Sequence, residues 1–538
     1  MRRHLPQFLT VLLLLLAFAL MLAAAKGESP TMDEQNHIAR GAAYLGTGDP
    51  RLSVEHPPLV NLLSALPVHV LLHPHLPLDT VWWETGEWYH FADLFLWEFN
   101  TDAGQITFLA RLPIMGLGLL LIALVQRWAR DRFGPWGGVL AATFCALDPN
   151  ILAHAHLSTT DLGGAFFSFL AAYALWRALR RPRQPLSALG FGLALGLAFA
   201  AKISALLFGP LLALVALLDS LPGGPGRLRR LLGRVAFLAG GGVVALLVVW
   251  ATYRFQVGPL TEGGPVVPAP PYLRGVLAVL DFASGGRSGY LLGQVSTAGW
   301  WYYFPVAFAV KTPLATLIGL LAATVIALRR PTRQDLVLLL PPVLFFAIST
   351  VARLNLGYRH LLPILPFVFV HLGRLVPSAR CARPALVRAS PALLALVLLL
   401  ATARVFPYFL AYFNPIGGGP EGGWRVLADS NIDWGQDMPG LRDWMEREDV
   451  ERVRLAWFGS ARPEYYGISY DLLPGVPYGF PLWPDPPFDP ENPEPGVYAI
   501  SVSNLVGAVL PDPNLYAWFR ARQPDAVIGH SIFIYRVE

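Results

Sequence analysis

Apolar runs of about 17 to 25 residues, cut by short arginine-rich or glycine- and proline-rich breaks, fill most of the first 406 residues. About eleven can be drawn: 8–25, 106–125, 136–147, 162–179, 186–201, 203–218, 235–253, 305–328, 336–351, 361–375 and 392–406. The run at 136–147 needs neighbouring residues to reach across a bilayer, and the two runs meeting at Lys202 also read as one kinked segment. The pattern changes after Phe406. Residues 407–538 carry a helix-like MPGLRDWMERE, strand-like VRLAWFG, VYAISVSNL and SIFIYRV, and a proline-rich loop from Pro474 to Pro495, which together predict a small α/β unit.

The arginines orient the runs. Arg2 and Arg3, Arg127–Arg132, Arg177–Arg183, Arg227–Arg234, Arg329–Arg333 and Arg374–Arg388 alternate with arginine-poor loops and all fall on one side, the cytoplasmic side. The loop 26–105, AHAHLSTTD, NLGYRH and everything after Phe406 then face outward. Ala23–Ala25 could pass for a signal-peptidase site; the first run is read as an uncleaved anchor.

Composition agrees: 54% of residues are hydrophobic and 14% charged, which excludes an ordinary soluble domain. The net charge of +5 belongs to topology and not to a nucleic-acid face. Two cysteines, Cys145 and Cys381, fall on opposite sides of the membrane and exclude a disulfide framework. Only three of the 41 basic residues are lysine, Lys26, Lys202 and Lys311, and all map to the outward half. An ammonium is a compact partner for a phosphate; chance retention, or snorkelling for Lys26, is the plainer account.

Candidate chemistry begins in the first outward loop. Asp33-Glu34 lies just past the first run and is followed by His37, Glu55 and His56, a set suited to proton transfer on a lipid-linked substrate at the outer leaflet. A helix over 35–45 would bring His37 and Arg40 within a turn of the acids, and EHPPLVNLLSALPVHVLL predicts a proline-started helix lying on the membrane. The aromatics from Trp82 to Trp97 suit the interface.

MDEQNH after the first run, EHPPL, ARLP entering the second, HAHLSTTDL, KTPL and NLGYRHLLPILPF resemble, in order and common outward location, the bacterial protein O-mannosyltransferase-like group. That group sits in the glycosyltransferase C superfamily with the lipid A aminoarabinose transferases. LADSNIDWGQDMPGL resembles a segment of many such proteins. The resemblance implies an α-helical polytopic membrane protein, residues 1–406, with a small outward C-terminal α/β domain, residues 407–538. It implies transfer of a sugar from a polyprenyl-phosphate donor to a protein, lipid or glycan acceptor on the outer face of the plasma membrane, with inversion.

Carried onto this sequence, Asp33 is the base on the acceptor and Glu34 orients it, the like charge raising the pair's proton affinity. Asp161 is a second acidic contact or a helix N-cap. Arg359, Lys311, Lys202, Arg353, Tyr358 and His360 are candidates for the donor phosphate and sugar; Arg111 is either another or an interfacial anchor, and His56 either a ligand group or a helix cap. Trp434 and the acids around it either meet an acceptor carbohydrate or form a structural turn. No metal is expected to be required: His154, His156 and Asp161, or His73 and His75, lack a zinc spacing, although some relatives in the wider superfamily use a divalent ion. Nucleic acid is not an expected partner. The competing class is a transporter or flippase of lipid-linked sugars, which has no need of the acidic, aromatic first loop.

Overall fold

The computed structural model describes residues 4–180, 186–221, 226–376, 385–475 and 488–538. Cys381 lies outside them. Among the described residues five helices are long and apolar enough to cross a membrane: Leu5–Gly27, Ala103–Ala146, Thr160–Arg180, Ile203–Ser220 and Arg227–Thr252. Tyr303–Lys311 and Leu314–Arg329 make a sixth if taken together, but they meet at 108° where Thr312-Pro313 interrupts the helix, so the expected single run 305–328 is a broken one. Shorter apolar helices, Ser187–Ala201 and Asp335–Thr350 among them, account for other predicted runs. Ala103–Ala146 contains two of the predicted runs; the break falls at Gly134, whose φ of 83° suits glycine, next to Pro135.

Leu15, Leu246, Leu321 and Leu400 are each at least 60% exposed, an arrangement that only a lipid solvent makes favourable over so much surface. Facing inward, small residues let backbones approach. Gly192 and Gly196 of Ser187–Ala201 lie against Arg227–Thr252, where an added Cβ would sit 2.5 Å from the Gly241 carbonyl oxygen or 2.6 Å from Val248 Cβ.

The first loop is ordered. Helices Glu34–Thr47, Pro58–Leu72 and Trp88–Trp97 form a core of their own with Ile38, Ala42, Phe91, Phe95 and Ile106. Phe91 and Phe95 are therefore core residues and not members of an interfacial band. Gly41 permits the first two helices to touch, since a Cβ there would lie 2.1 Å from the Asn61 carbonyl oxygen.

Two hairpins, β1 (Val257–Pro259) with β2 (Val266–Pro268) and β3 (Gly289–Leu291) with β4 (Gln294–Ser296), occupy the loop after Arg227–Thr252. The C-terminal sheet contains β5 (Val453–Ala456), β6 (Tyr470–Leu472), β7 (Gly496–Ser501), β8 (Ala526–Ile528) and β9 (Ile532–Val537) in the order β6-β5-β7-β9-β8. The β5 pairings are parallel and those of β9 antiparallel. Period-two alternation divides its side chains: Ala499, Ile532 and Ile534 pack on helix Met438–Arg447, while Tyr498, Ile500, Phe533 and Tyr535 join the main core. The sheet unit docks on the first loop, where Arg462 pairs with Asp93 and Glu98 and the Ser460 hydroxyl donates to the Thr31 carbonyl at 3.1 Å.

Candidate active site

Asp33 and Glu34 are neighbours in sequence and diverge in space. Asp33 precedes helix Glu34–Thr47, and Glu34 occupies its first turn. The Glu34 carboxylate is fully buried and turned toward Arg111, which donates to it from Nε at 2.8 Å and Nη2 at 2.7 Å. It also accepts from the backbone N–H of Ser158 at 2.7 Å and of Thr31 at 2.9 Å. Burial opposes its ionisation, but Arg111 and these bonds hold it below the usual range. Arg111 spends its other donors on the carbonyls of Ala25, Glu28 and Ser29. Glu34 and Arg111 thus tie the first helix to the loop and are not placed to orient Asp33 or to bind a phosphate.

Asp33 faces the other way. Its carboxylate is 32% exposed, against 2% for Asp161, and accepts from Arg359 Nη1 at 2.9 Å. Burial would raise its pKa; Arg359 brings it below the usual carboxylate range. The expected rise through Glu34 does not occur because Glu34 is neutralised by Arg111. Arg359 Nη1 also lies 3.6 Å from Asp161 Oδ2, and Lys202 pairs with the other oxygen of Asp161. Asp161 is in the first turn of Thr160–Arg180 but is engaged by cations and not by capping. Gly164, one turn on, gives the Lys202 stem room: a Cβ there would be 3.0 Å from Lys202 Cβ.

The histidines line the same region. His37 Nδ1 is 3.0 Å from Asn61 Oδ1, its ring 4.8 Å from that of His56, and His56 reaches Thr160 Oγ1 at 3.4 Å. Burial first, then the nearby cations, keeps both imidazoles neutral, that of His37 with a pKa of about 4. Glu55 pairs with Arg40, which is stacked 4.4 Å from the Trp88 ring. His360 sits in the field of Lys202, Arg359 and Asp161 with Nε2 unpartnered, as is Arg359 Nε.

Other candidates are placed elsewhere. Lys311 is 2% exposed and donates to the carbonyls of Leu410 and Asn431 at 2.8 and 2.7 Å, so its ammonium braces backbone. Tyr358 is buried with its hydroxyl 2.9 Å from Thr312 Oγ1. Arg353 is exposed on the loop after Asp335–Thr350. Three more residues join the cluster: Arg287, which was not foreseen from sequence, and Asp429 and Trp434, expected there either to meet an acceptor carbohydrate or to form a turn. Asp429, at a φ of 55°, and Arg287 share electrostatic contact with Asp33, and the Trp434 ring lies 4.4 Å from the Arg359 guanidinium carbon. An outward-loop arginine and an Asp-Ser-Asn turn were the available signals, but neither indicates direction.

The cluster is a partly open carboxylate beside two cations, with a second, buried carboxylate between them. It suits proton acceptance next to a bound phosphate. Asp33 and Asp161 are paired with Arg359 and Lys202. Among the described residues no group of three or more His, Cys, Asp or Glu could hold a metal.

Residues 91–253 match the family model for dolichyl-phosphate-mannose-protein mannosyltransferase, a stretch that contains Asp161 and Lys202. The structure is similar to that of ArnT from Cupriavidus metallidurans in the apo state, with a TM-score of 0.50, 15% identity and 97% of each chain covered. The fold is that of ArnT. ArnT bound to undecaprenyl phosphate is similar to this chain over 97% of each, at a TM-score of 0.51 and 14% identity. The Archaeoglobus fulgidus oligosaccharyltransferase in the apo form aligns with 94% of this chain and 71% of its own, at a TM-score of 0.49 and 12% identity. No curated protein sequence matches this chain.

Proposed function

We propose that this protein is a membrane glycosyltransferase that moves a sugar from a polyprenyl-phosphate donor to an acceptor at the outer face of the plasma membrane, with Asp33 as the base. The observation that carries the reading is the junction of Asp33, Arg359, Asp161 and Lys202, in which the one partly open carboxylate is hydrogen-bonded to a cation. The undecaprenyl phosphate held by ArnT supports a lipid phosphate as the donor's leaving group. An acceptor hydroxyl or amine attacks the anomeric carbon as the bond from that carbon to the phosphate oxygen breaks. The phosphate leaves with the electron pair, and the acceptor's proton passes to Asp33. Attack opposite the leaving group inverts the anomeric centre.

Arg359 and Lys202 stabilise the charge that develops on the phosphate. The unpaired Nε of Arg359 is a free donor for it. No divalent ion is required in this scheme, and turnover should persist after chelation. In this reading the eleven apolar segments cross the membrane, the N-terminus and arginine-rich loops are cytoplasmic, and residues 407–538 form the outward domain.

The test is sugar release from a panel of polyprenyl-phosphate sugars by the protein in lipid nanodiscs, beside Asp33→Asn. Consumption of one donor by wild type and its loss in the variant supports the reading. Consumption of none by folded protein refutes it.

A further inference from the structure

The run LADSNIDWGQDMPGL, residues 427–441, has no part in the chemistry above, yet it bonds to both segments that carry the Asp33–Arg359 pair. Toward Asp33, the Ser29 N–H donates to the Gln436 carbonyl at 2.9 Å and the Ser29 hydroxyl to the Gly435 carbonyl at 2.9 Å. The Met32 N–H, one residue before Asp33, donates to the Trp434 carbonyl at 2.8 Å. Toward Arg359, the Tyr358 N–H donates to Asn431 Oδ1 at 2.8 Å and the Ser430 hydroxyl to the Leu356 carbonyl at 3.0 Å. Lys311 and the Tyr303 hydroxyl hold Asn431 in turn.

Between these attachments lies Trp434, 1% exposed, with its ring 4.4 Å from the Arg359 guanidinium carbon. The run cannot shift easily. Asp433 accepts from the Ser503 N–H at 2.7 Å and Asp437 from the Ser531 hydroxyl at 2.6 Å. Gly435, at a φ of 85°, passes so close to Gly459 that a Cβ would lie 2.6 Å from its Cα.

A guanidinium that binds a carboxylate in one state and a phosphate in the next must be held without using the N–H groups that make those bonds. An aromatic face does this, because it attracts the cation through the plane and leaves all five donors at the edge. We propose that Trp434 is a positioning residue of the transfer reaction. It fixes the Arg359 plane so that its edge meets both Asp33 and the donor phosphate, and residues 429–437 set the spacing between base and cation. The proposal rests on the transferase reading above.

The experiment compares Trp434→Leu, Trp434→Phe, Arg359→Lys and the Trp434→Leu/Arg359→Lys double variant as full chains in nanodiscs. Donor consumption and inhibition by free polyprenyl phosphate are measured for each. Trp434→Leu should lower kcat/KM for the donor about tenfold and weaken inhibition by a similar factor, the range of a desolvated cation–π contact. Trp434→Phe should lose only about threefold. A lysine has no plane to hold, so Trp434→Leu should cost about twofold or less beside Arg359→Lys.

Equal losses in both backgrounds, or a phenylalanine no better than leucine, would overturn the proposal in favour of ordinary packing. If Trp434→Leu does not fold, Trp434→Phe bears the test alone, with a loss of about threefold that must vanish beside Arg359→Lys. Wild type that consumes no donor overturns the transferase reading, and this proposal with it; activity with additive losses overturns this proposal alone.

Discussion

Two adjacent acids should fail in opposite ways. Glu34→Gln replaces a carboxylate that receives two guanidinium donors and the N–H groups of Ser158 and Thr31. An amide keeps one acceptor oxygen and turns an NH2 toward a set of donors. It also leaves Arg111, 1% exposed, with its charge uncompensated. Breaking one side of such a pair costs about 3–5 kcal/mol, two to three orders of magnitude or more in the folded-to-unfolded ratio. Asp33→Asn removes a half-open carboxylate whose cation still has Asp161 and Trp434, and should cost about 1 kcal/mol or less in stability. Its effect falls on the rate, which should drop about 10²- to 10⁴-fold with loss of the base. The two are separated by heating each variant in nanodiscs, measuring the fraction that remains folded, and assaying donor consumption per folded molecule. A Glu34→Gln protein as heat-stable as wild type, or an Asp33→Asn protein that unfolds as readily as Glu34→Gln, would refute the division of roles.

Lys202→Met should lower donor kcat/KM at least tenfold, since charged hydrogen bonds contribute about 1.5–3 kcal/mol, and should weaken inhibition by free polyprenyl phosphate; an unchanged inhibition constant would remove Lys202 from the phosphate site. Because the Asp33 carboxyl is held below its ordinary range, it remains ionised well into acid, and donor kcat/KM should show no loss from this group between pH 7 and 5; a midpoint near 6 that disappears in Asp33→Glu would contradict the pairing with Arg359. Burial raises the Asp433 carboxyl to about 7, so the folded protein keeps a proton there that the unfolded chain releases near 3.8. Its contribution to stability is therefore present at low pH and lost as pH rises through 7, and Asp433→Asn should gain on wild type above pH 7 and converge with it by about pH 4 in thermal unfolding. A constant gap across that range would show that Asp433 is ionised in the fold. Turnover should survive EDTA treatment and dialysis, and loss restored by Mg²⁺ or Mn²⁺ would overturn the metal-free scheme.

What the sequence disclosed followed from forces that act locally. Apolar runs located the helices and arginines separated the loops, because a bilayer imposes length and charge rules on contiguous residues. Asp33 could be singled out since an acid beside a span is costly without a purpose. Adjacency misled the reading of Glu34: consecutive residues at a helix start point about 100° apart, so two neighbouring carboxylates rarely share a partner. The rarity of lysine drew attention equally to Lys202 and Lys311, but rarity does not reveal what an ammonium faces. One meets Asp161, and the other meets two carbonyls.

The site itself joins chain segments that no local pattern connects. Arg359 and Asp33 are 326 residues apart, and the bond from Ser29 to Gly435 spans 406. The one sequence signal for that closure was a run in which Asn, Asp, Trp, Gly and Gln crowd together without periodicity. Such a run cannot build a core of its own, and its polar groups must be satisfied by distant partners if it is buried. Asn431, Asp433, Trp434, Gln436 and Asp437 are all at most 3% exposed, and their bonds to residues 29–32, 356–358, 503 and 531 provide that satisfaction. Packing the run without these partners would strand several polar groups in a low-dielectric interior, so its burial requires the loop bearing Asp33 and the loop bearing Arg359 to be brought to it together. Base and cation thereby reach hydrogen-bond distance as a consequence of folding, before any donor arrives.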